Sequence, residues 1–335
     1  MTERSAATAS NEDDQAAVID IGSNTIHLLV ANCPAGHIQP IHDRSVRSGL
    51  GIAVADGAPL GSDRIQAVAS VVRVLAAEAR EHRAREVTVL GTHAVRAAPD
   101  RDALLRVIER DAGVVVHVLS PEQEAVLCVA GAALGPLPSP PFLCVDIGGG
   151  SCDLAAVDAS GVSSVVSLPV GSGVLAARDL GGDPPQAAQA VRAAGALRDL
   201  CDAAGFPGYP EFVETVATGG AARRLRRQVQ AEPDAVALPT SLLLDTIRLL
   251  LREPSAEWPH AVRPDRAPLV RAGGIIAEAI VVRWRVARWR VSAYGLREGA
   301  LARRARGLSL DAAVPSGALP VHLRDMEGSR GHRGA

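Results

Sequence analysis

Two stretches of the chain share one pattern of apolar and polar positions. Residues 18–31 have the sequence VIDIGSNTIHLLVA, and residues 144–157 have the sequence CVDIGGGSCDLAAV. In both, an apolar run ends with an Asp, a Gly-rich turn follows, and a second apolar run returns, which is typical of a β-hairpin. Asp20 corresponds to Asp146, which is 126 residues later, so the pattern indicates an internal duplication.

The likeness between the two copies continues beyond the hairpins. A third predicted strand is followed by a long Ala-rich helical pattern, at about residues 63–83 in the first copy and about 184–203 in the second. Two further strand–helix pairs complete each copy, which gives the order β-β-β-α-β-α-β-α. The fourth strands are 127 residues apart and the fifth strands 174 apart, so the second copy has about 47 additional residues between them.

The duplicated pattern predicts an α/β fold with two lobes and an interlobe cleft. Apolar strands of this kind suit sheets that helices cover on both faces. The linker GPLPSPP at residues 135–141 separates lobe I, residues 16–135, from lobe II, residues 142–310. The polar residues 1–15 and 311–335 are predicted to be disordered. The two Asp-Gly hairpins are expected to meet in the cleft and to hold the ligand there.

Composition and charge exclude several classes of protein. The 335 residues are 47% hydrophobic and 21% charged, which excludes a wholly disordered chain. The formal net charge of −2 gives no global reason to expect nucleic-acid binding. The acidic N-terminus lacks the apolar segment of a signal peptide. The uncharged residues 125–145 contain too many Gly and Pro residues for a membrane-spanning helix.

The cysteines indicate the compartment. The five Cys are scattered and have no CxxC spacing, so we interpret them as buried free thiols of a reducing environment. We therefore expect a cytoplasmic protein with neither nucleic acid nor membrane as a partner.

The Asp-Gly hairpins carry the residue types that bind phosphate and Mg²⁺. Their glycines let backbone N–H groups approach a ligand, and successive N–H groups with a hydroxyl form a nest for phosphate oxygens. A carboxylate at the strand end supplies a hard oxygen ligand for Mg²⁺. One such turn is weak evidence, but two at equivalent positions of a duplication point to phosphate binding. The predicted phosphate-binding residues are Gly22, Ser23, Asn24 and Thr25 in the first hairpin and Gly148, Gly149, Gly150 and Ser151 in the second.

A set of short motifs follows these hairpins in a specific order. Between about residue 16 and about residue 308 the chain contains DIGSNT, GTHAVR, SPEQEA, DIGGGS, SLPVGSG, ATGGAAR, DRAPLVRAGGIIAEAI and YGLREG. In this set the sequence resembles the exopolyphosphatase/guanosine pentaphosphate phosphohydrolase (Ppx/GppA) family. The resemblance implies the duplicated actin-like/Hsp70/sugar-kinase (ribonuclease H-like) fold, in a short two-domain form. It also implies hydrolysis, with water attacking a terminal phosphoryl group.

Glu124 is the candidate that the resemblance implies for activating water. It matches the catalytic Glu of the family's G-x-E-E-A stretch. The alternative is that the acids of SPEQEA only favour a helix N-terminus. Pro121 stands where the family has Gly, and Gln123 stands where it has the first Glu of the pair. The second departure removes a negative charge beside the expected base.

Arg96 and the Asp residues complete the expected site. Arg96 matches the Arg of the family's G-T-x-x-x-R segment and is expected to clamp a phosphate or to hold Glu124, unless it is a solvated helix residue. Asp153 stands where the family usually has Glu. Together with Asp20 and Asp146 it is expected to position Mg²⁺ and water, and Asp146 is counted with Glu124 and Arg96 as catalytic.

A third Gly-rich turn and two arginine runs are less specific signals. Gly219 is interpreted either as a phosphate-binding residue or as part of a helix cap. The arginine runs are interpreted either as solvated helix faces or as a track for polyphosphate. These runs are Arg223, Arg224, Arg226 and Arg227, and Arg283, Arg285, Arg288 and Arg290.

Three functions remain open from the sequence. The first is a Mg²⁺-dependent exopolyphosphatase that removes terminal orthophosphate from inorganic polyphosphate. The second keeps the site but cleaves guanosine pentaphosphate, and the third is a non-catalytic sensor of polyphosphate or alarmone. The resemblance also implies a homodimer, for which an exposed region around Trp284 and Trp289 and the additional residues of the second copy are a candidate contact.

Overall fold

The computed structural model describes residues 14–34, 37–206, 213–231 and 236–310. The first described strand begins at Gln15, one residue before the predicted start of lobe I. Residues 1–13 and 311–335, for which disorder is predicted, lie outside the described residues.

The first copy forms a mixed sheet of five described strands. The chain makes an antiparallel meander first and then adds two strands parallel to the central one, in the spatial order β3-β2-β1-β4-β5. The strands are β1 Gln15–Ile21, β2 Thr25–Asn32, β3 Gln39–Arg47, β4 Glu86–Gly91 and β5 Val116–Val118.

The second copy repeats this topology. Its spatial order is β8-β7-β6-β9-β11-β10, in which the first five strands match those of the first sheet and β10 is an added antiparallel edge strand. The identical order confirms the predicted duplication. The strands are β6 Phe142–Ile147, β7 Cys152–Asp158, β8 Gly161–Leu168, β9 Glu214–Thr218, β10 Leu238–Pro239 and β11 Arg288–Val291.

Helices connect the strands and cover the sheets. In the first copy they are α1 Leu50–Val54, α2 Ser62–Glu81, α3 His93–Ala97, α4 Arg101–Ala112 and α5 Pro121–Ala132. In the second they are α6 Ser172–Asp179, α7 Ala187–Ala203, α8 Gly219–Gln228, α9 Thr240–Arg252, α10 Ala267–Arg283 and α11 Leu296–Ala305. The additional residues of the second copy account for β10 and for one α-helix more between β9 and β11 than the first copy has between β4 and β5.

Each sheet has its own hydrophobic core, and two helices cross between the sheets. Helix α5 packs on β6, β7 and β8 of the second sheet, whereas the equivalent helix α11 packs on β1 of the first. The two helices cross so closely that a Cβ on Gly299 would overlap the carbonyl oxygen of Leu127. Only a residue without a side chain permits this approach, which joins the two halves behind the cleft.

The prediction of an exposed tryptophan region is wrong. Trp284 and Trp289 are 5% and 1% exposed, and both belong to the core of the second sheet. Phe206 packs edge-on against Trp284, with 5.7 Å between the ring centroids. In a chain with only 2% aromatic residues, these large rings fill the core instead of supplying a surface contact.

Candidate active site

The two Asp-Gly turns face each other across one cleft of about 320 Å³. Each turn is closed by the same bond, from the N–H of Gly22 to the carbonyl of Thr25 (3.1 Å) and from that of Gly148 to Ser151 (3.0 Å). A Cβ on Gly150 would overlap the Ser23 hydroxyl, so the turns lie in contact. All eight predicted phosphate-binding residues of the turns line this cleft.

A serine hydroxyl group supports each of the two turns. Ser48 donates to the carbonyl of Gly22 at 3.0 Å, and Ser172 donates to the carbonyl of Gly148 at 3.1 Å. Both serines follow the third strand of their copy, so each turn is held by one hydroxyl. The turns thereby keep a fixed shape, and successive N–H groups of such Gly-rich turns form a nest for anions.

Asp146 lies at the end of β6 and is fixed by the neighbouring strand. Strand β9 runs parallel to β6 and brings Thr218 opposite Asp146. The Thr218 hydroxyl donates to Oδ1 of Asp146 at 2.6 Å. Burial raises the pKa of Asp146, and the Thr218 hydrogen bond and the charge of Arg223 partly offset this rise.

Asp20 occupies the equivalent position at the end of β1 and lacks such a partner. In the described part of the chain, nothing hydrogen-bonds its buried Oδ1 atom. Burial raises the pKa of Asp20 to about 7; the charge of Arg297 lowers it, and the charge of Asp146 raises it. A buried carboxylate oxygen without a donor is costly unless a cation or a donor from a ligand reaches it.

Asp153 lies behind the second turn and does not line the cleft. It faces Asp146 in the pairing of β6 with β7 and accepts a hydrogen bond from the Ser151 hydroxyl at 2.9 Å. Burial raises its pKa to about 6, although a hydrogen bond from Ser167 lowers it. The structure therefore brings Asp153 next to the site, with Ser151 between it and the ligand side.

Glu124 enters the cleft from the first turn of α5. Ser120 caps this helix by accepting from the N–H of Gln123 (3.2 Å), and the Gln123 side chain accepts from the N–H of Ser120 (2.7 Å). The Gln that replaces the family's Glu thus completes a capping box. Glu124, one residue later, is free of this task; it is 4% exposed and lines the cleft.

Arg96 holds Glu124 from outside the cleft. Its Nη1 group donates to the carbonyl of Leu119 at 2.6 Å and to Oε1 of Glu124. Burial and the charge of Asp153 raise the pKa of Glu124 well above its ordinary value, whereas Arg96 lowers it. Because Arg96 does not line the cleft, the geometry favours the alternative in which it positions Glu124 over the one in which it clamps a phosphate.

Gly219 and two histidines complete the lining. Gly219 has a φ of +86°, and a Cβ there would lie 2.8 Å from Oδ1 of Asp146, so only Gly suits this corner. His27 lies 2.6 Å from the Thr25 hydroxyl in a hydrogen bond. Burial and the charge of Arg297 lower the pKa of His27 to about 4, so it is neutral near pH 7. His93 also lines the cleft.

The acidic corner fits a divalent cation held by two carboxylates. Mg²⁺ is usually bound by one or two carboxylates and completes its shell with water and substrate phosphate. Asp20 and Asp146 offer this set, with an unpartnered oxygen on Asp20. Across the described ranges, no group of three or more His, Cys, Asp and Glu side chains is arranged to hold a metal ion by itself.

Comparison with known proteins decides the family. A model of the Ppx/GppA phosphatase family matches residues 29–306. The chain belongs to this family. It is therefore a phosphohydrolase, and the predicted duplicated α/β fold with two lobes is confirmed for this Ppx/GppA member.

Relatives and a solved structure agree with this assignment. Exopolyphosphatase 1 of Mycobacterium leprae is 27% identical over 336 residues, covering 95% of this chain and 96% of that protein. An uncharacterised protein of Streptomyces coelicolor is 33% identical over 179 residues, about half of each chain (52% and 53%). The crystal structure of the Aquifex aeolicus Ppx/GppA family member matches with a TM-score of 0.72 and 26% identity, covering 88% of this chain and 98% of that one.

Three residues of the Ppx/GppA site have roles that the sequence alone does not reveal. Thr218 was visible only as part of a Gly-rich turn, yet the parallel pairing of β9 with β6 would have placed it beside Asp146. Arg297 lies in the motif YGLREG, which was the available signal. Arg266, at the start of α10, lies in the motif DRAPLVRAGGIIAEAI, and neither motif by itself places its arginine in the cleft. Both arginines line the cleft.

The structure bears on one further expectation. None of the helices in the described ranges combines the length and hydropathy that a membrane-spanning segment requires. The cytoplasmic location and the homodimer stay predictions.

Proposed function

We propose that this Ppx/GppA member is a Mg²⁺-dependent exopolyphosphatase that releases terminal orthophosphate from inorganic polyphosphate. The observation that carries the proposal is the composition of the cleft. Its lining combines the carboxylates and the Gly-rich turns with Arg223, Arg224, Arg227, Arg266 and Arg297. The turns and carboxylates suit the reacting end of a linear polyanion, and the arginines suit the rest of its charge.

The lining favours a linear chain over a nucleotide. Among the described residues of the cleft there is no Phe, Tyr or Trp to stack on a purine, and Ile147, Leu269 and Leu296 are its largest apolar side chains. Arginines, in contrast, form charge-assisted hydrogen bonds with phosphate oxygens all along a polyphosphate chain. This contrast supports polyphosphate over guanosine pentaphosphate as substrate.

The residues of the cleft divide the work of hydrolysis between them. The N–H groups of the two turns hold the oxygens of the terminal phosphoryl group, with the hydroxyls of Thr25 and Ser151 beside them. Asp20 and Asp146 are the residues that would hold Mg²⁺, which when bound neutralises phosphate charge. Glu124 accepts a proton from the attacking water or orients it. The water oxygen bonds to the terminal phosphorus while the bond from that phosphorus to the bridging oxygen breaks, and the shortened polyphosphate leaves with this oxygen as a phosphate oxyanion.

Glu124 is suited to this task by its surroundings. It is buried, lies at the cleft and is held by one arginine, so its carboxylate is fixed in direction, and burial and the charge of Asp153 raise its pKa above the ordinary value. A raised pKa makes this carboxylate a stronger base toward the attacking water than an ordinary Glu. Gln123, whose departure from the family pattern favours a sensor, forms the helix cap instead of facing the ligand, which weakens the case for a non-catalytic protein.

The proposal is tested by a substrate panel. The purified full chain is incubated with Mg²⁺ and with tripolyphosphate, long-chain polyphosphate or guanosine pentaphosphate, and released orthophosphate is measured. We expect the highest kcat/KM with polyphosphate and shortening from the chain end on gels. A higher kcat/KM with guanosine pentaphosphate would contradict the proposal and identify the nucleotide as the substrate. Binding without phosphate release would support the sensor.

A further inference from the structure

Three arginines of α8 form one wall of the cleft; we call Arg223, Arg224 and Arg227 the wall arginines. They follow the Gly219 turn in the order i, i+1 and i+4. Residues four apart on a helix lie on the same face, about one turn or 5.4 Å apart along the axis. Arg223 and Arg227 therefore point along the same side of α8 and not to one common point.

Helix α8 starts beside a carboxylate of the cleft and carries an exposed arginine in its last turn. It begins at Gly219, directly after Thr218, whose hydroxyl binds Asp146. With a rise of 1.5 Å per residue, Arg223 and Arg227 lie about 6 and 12 Å beyond that start. Arg223 is half-buried and its charge acts on Asp146, whereas Arg227 is exposed. The charges thus continue outward from the site of hydrolysis.

The wall arginines have no acidic partners in the described part of the chain, and no hydrogen bond or ion pair joins them to a carboxylate. Several other arginines of the second copy are paired with a carboxylate, as Arg290 is with Glu214 at 2.9 Å. Burial, and then the neighbouring charges of Arg266, Arg223 and Arg227, lower the pKa of Arg224. A cluster of like charges without counter-ions is unfavourable by itself and favours an anionic ligand with several charges.

We propose that the wall arginines form a distal subsite for the phosphate units behind the scissile bond, so that the enzyme prefers long polyphosphate chains over tripolyphosphate. The inference rests on the proposed function, because it takes the Asp-Gly turns as the place of the terminal phosphate. A chain that ends before Arg227 cannot use the outer part of the wall. A longer chain gains charge-assisted hydrogen bonds there, and these weaken with added salt.

The test compares the variant R223A/R227A with R226A. Arg226 lies on the same helix but outside the cleft lining, so R226A controls for loss of a positive charge on α8. For wild type and each variant, kcat/KM is measured with long-chain polyphosphate, tripolyphosphate and guanosine pentaphosphate, at low and high salt. Thermal unfolding verifies that the variants fold. If R223A/R227A does not fold, the single variant R227A, at an exposed position, takes its place in the comparison.

We expect the ratio of kcat/KM for long chains to that for tripolyphosphate to fall about tenfold or more in R223A/R227A, the scale of losing a hydrogen bond to a charged group. Its salt dependence for long chains should become shallower, and R226A should keep the wild-type ratio. An unchanged ratio, an equal fall in R226A, or a loss confined to guanosine pentaphosphate would overturn the subsite.

A separate binding measurement distinguishes this outcome from failure of the proposed function. Binding of long-chain polyphosphate and of tripolyphosphate is measured by calorimetry in the E124Q background, where turnover does not interfere. If wild type releases no phosphate from either substrate, the proposed function fails, and the subsite is still decided here. Stronger binding of the long chain that R223A/R227A removes supports the subsite, and equal binding of both substrates contradicts it.

Discussion

Arg96 holds the Glu124 carboxylate at the edge of the cleft while staying out of the cleft itself. The guanidinium group is fixed by the Leu119 carbonyl, and the carboxylate it binds faces the Asp-Gly turns. The two residues come from different motifs, 28 positions apart, and meet because β4 and β5 are neighbours in the first sheet. From this arrangement we expect Glu124 to act on the attacking water and Arg96 to orient Glu124.

Replacing Glu124 by Gln should remove catalysis and leave the fold intact. The amide keeps the shape of the side chain but cannot accept the proton of water, and general-base catalysis contributes about 10²–10⁴-fold. We expect kcat for polyphosphate to fall about 100-fold or more, with an unchanged circular dichroism spectrum. The control is E122Q on the exposed side of the same helix turn; equal losses in both variants would contradict the assignment.

Replacing Arg96 should change the pH dependence of the reaction. Burial and Asp153 raise the pKa of Glu124 and Arg96 lowers it, so loss of Arg96 raises this pKa further. A carboxylate that must be ionised then becomes protonated at higher pH. We expect the acidic limb of the kcat/KM profile to move to higher pH in R96A and to return toward wild type in R96K. A uniform fall without a shift would contradict a positioning role.

Replacing Thr218 should weaken the binding of the metal. Its hydroxyl orients Asp146, and partners of this kind contribute about 10–100-fold to metal affinity. T218V removes the hydroxyl at constant size, whereas T218S retains it. We expect calorimetry to show a Mg²⁺ affinity about tenfold lower or more in T218V and close to wild type in T218S. Equal affinities in all three proteins would exclude Thr218 from this role.

Replacing Asp183 should destabilise the second copy. Asp183 binds Nη2 of Arg271 at 2.6 Å and also the N–H of Ser255, and Arg271 is 1% exposed. D183N leaves the buried guanidinium without its counter-ion. Loss of one partner of a buried pair costs about 3–5 kcal/mol. Because Asp183 is 44% exposed, we expect a smaller loss in D183N: urea unfolding should show a free energy of unfolding about 2 kcal/mol lower than in wild type.

The same pair predicts the direction of a pH effect. Burial alone would raise the pKa of Asp183, but hydrogen bonds from Ser255 and Arg271 outweigh it and lower the pKa. The stabilisation is thus complete above the unfolded-state pKa of about 4 and is lost as pH falls through the lower folded-state value. The free energy of unfolding should therefore fall less with decreasing pH in D183N than in wild type. D179N, at an exposed position of α6, should show the same pH dependence as wild type.

The sequence predicted the parts of the fold that repeat. The hairpins around Asp20 and Asp146, their common cleft and the order of strands follow from a duplicated pattern of apolar runs and glycines. Helices α5 and α11 show where this reasoning stops. Periodicity predicts that a helix has an apolar face but does not say which sheet it covers, and both helices cross to the sheet of the other copy.

The site was predicted less completely than the fold. A motif gives the position of a side chain in the sequence but not its direction. Asp153 was expected to position metal and water but lies outside the cleft lining, and of the two roles expected for Arg96 the geometry favours holding Glu124. The hydroxyl of Thr218 acts on Asp146 through a parallel pairing of strands 72 positions apart. The tryptophan region was expected at the surface, and this prediction failed because the burial of Trp284 and Trp289 depends on tertiary packing in the second copy. A sequence pattern does not show that packing.

The most direct measurement of the central claim is a double-mutant cycle of D20N and D146N, with phosphate release from polyphosphate as the readout. If both carboxylates act on one phosphate end, each single variant loses most of the activity, and the double variant loses little more, because groups that act as a unit are not additive. Losses that multiply in the double variant, or a single variant with wild-type activity, would contradict a shared site.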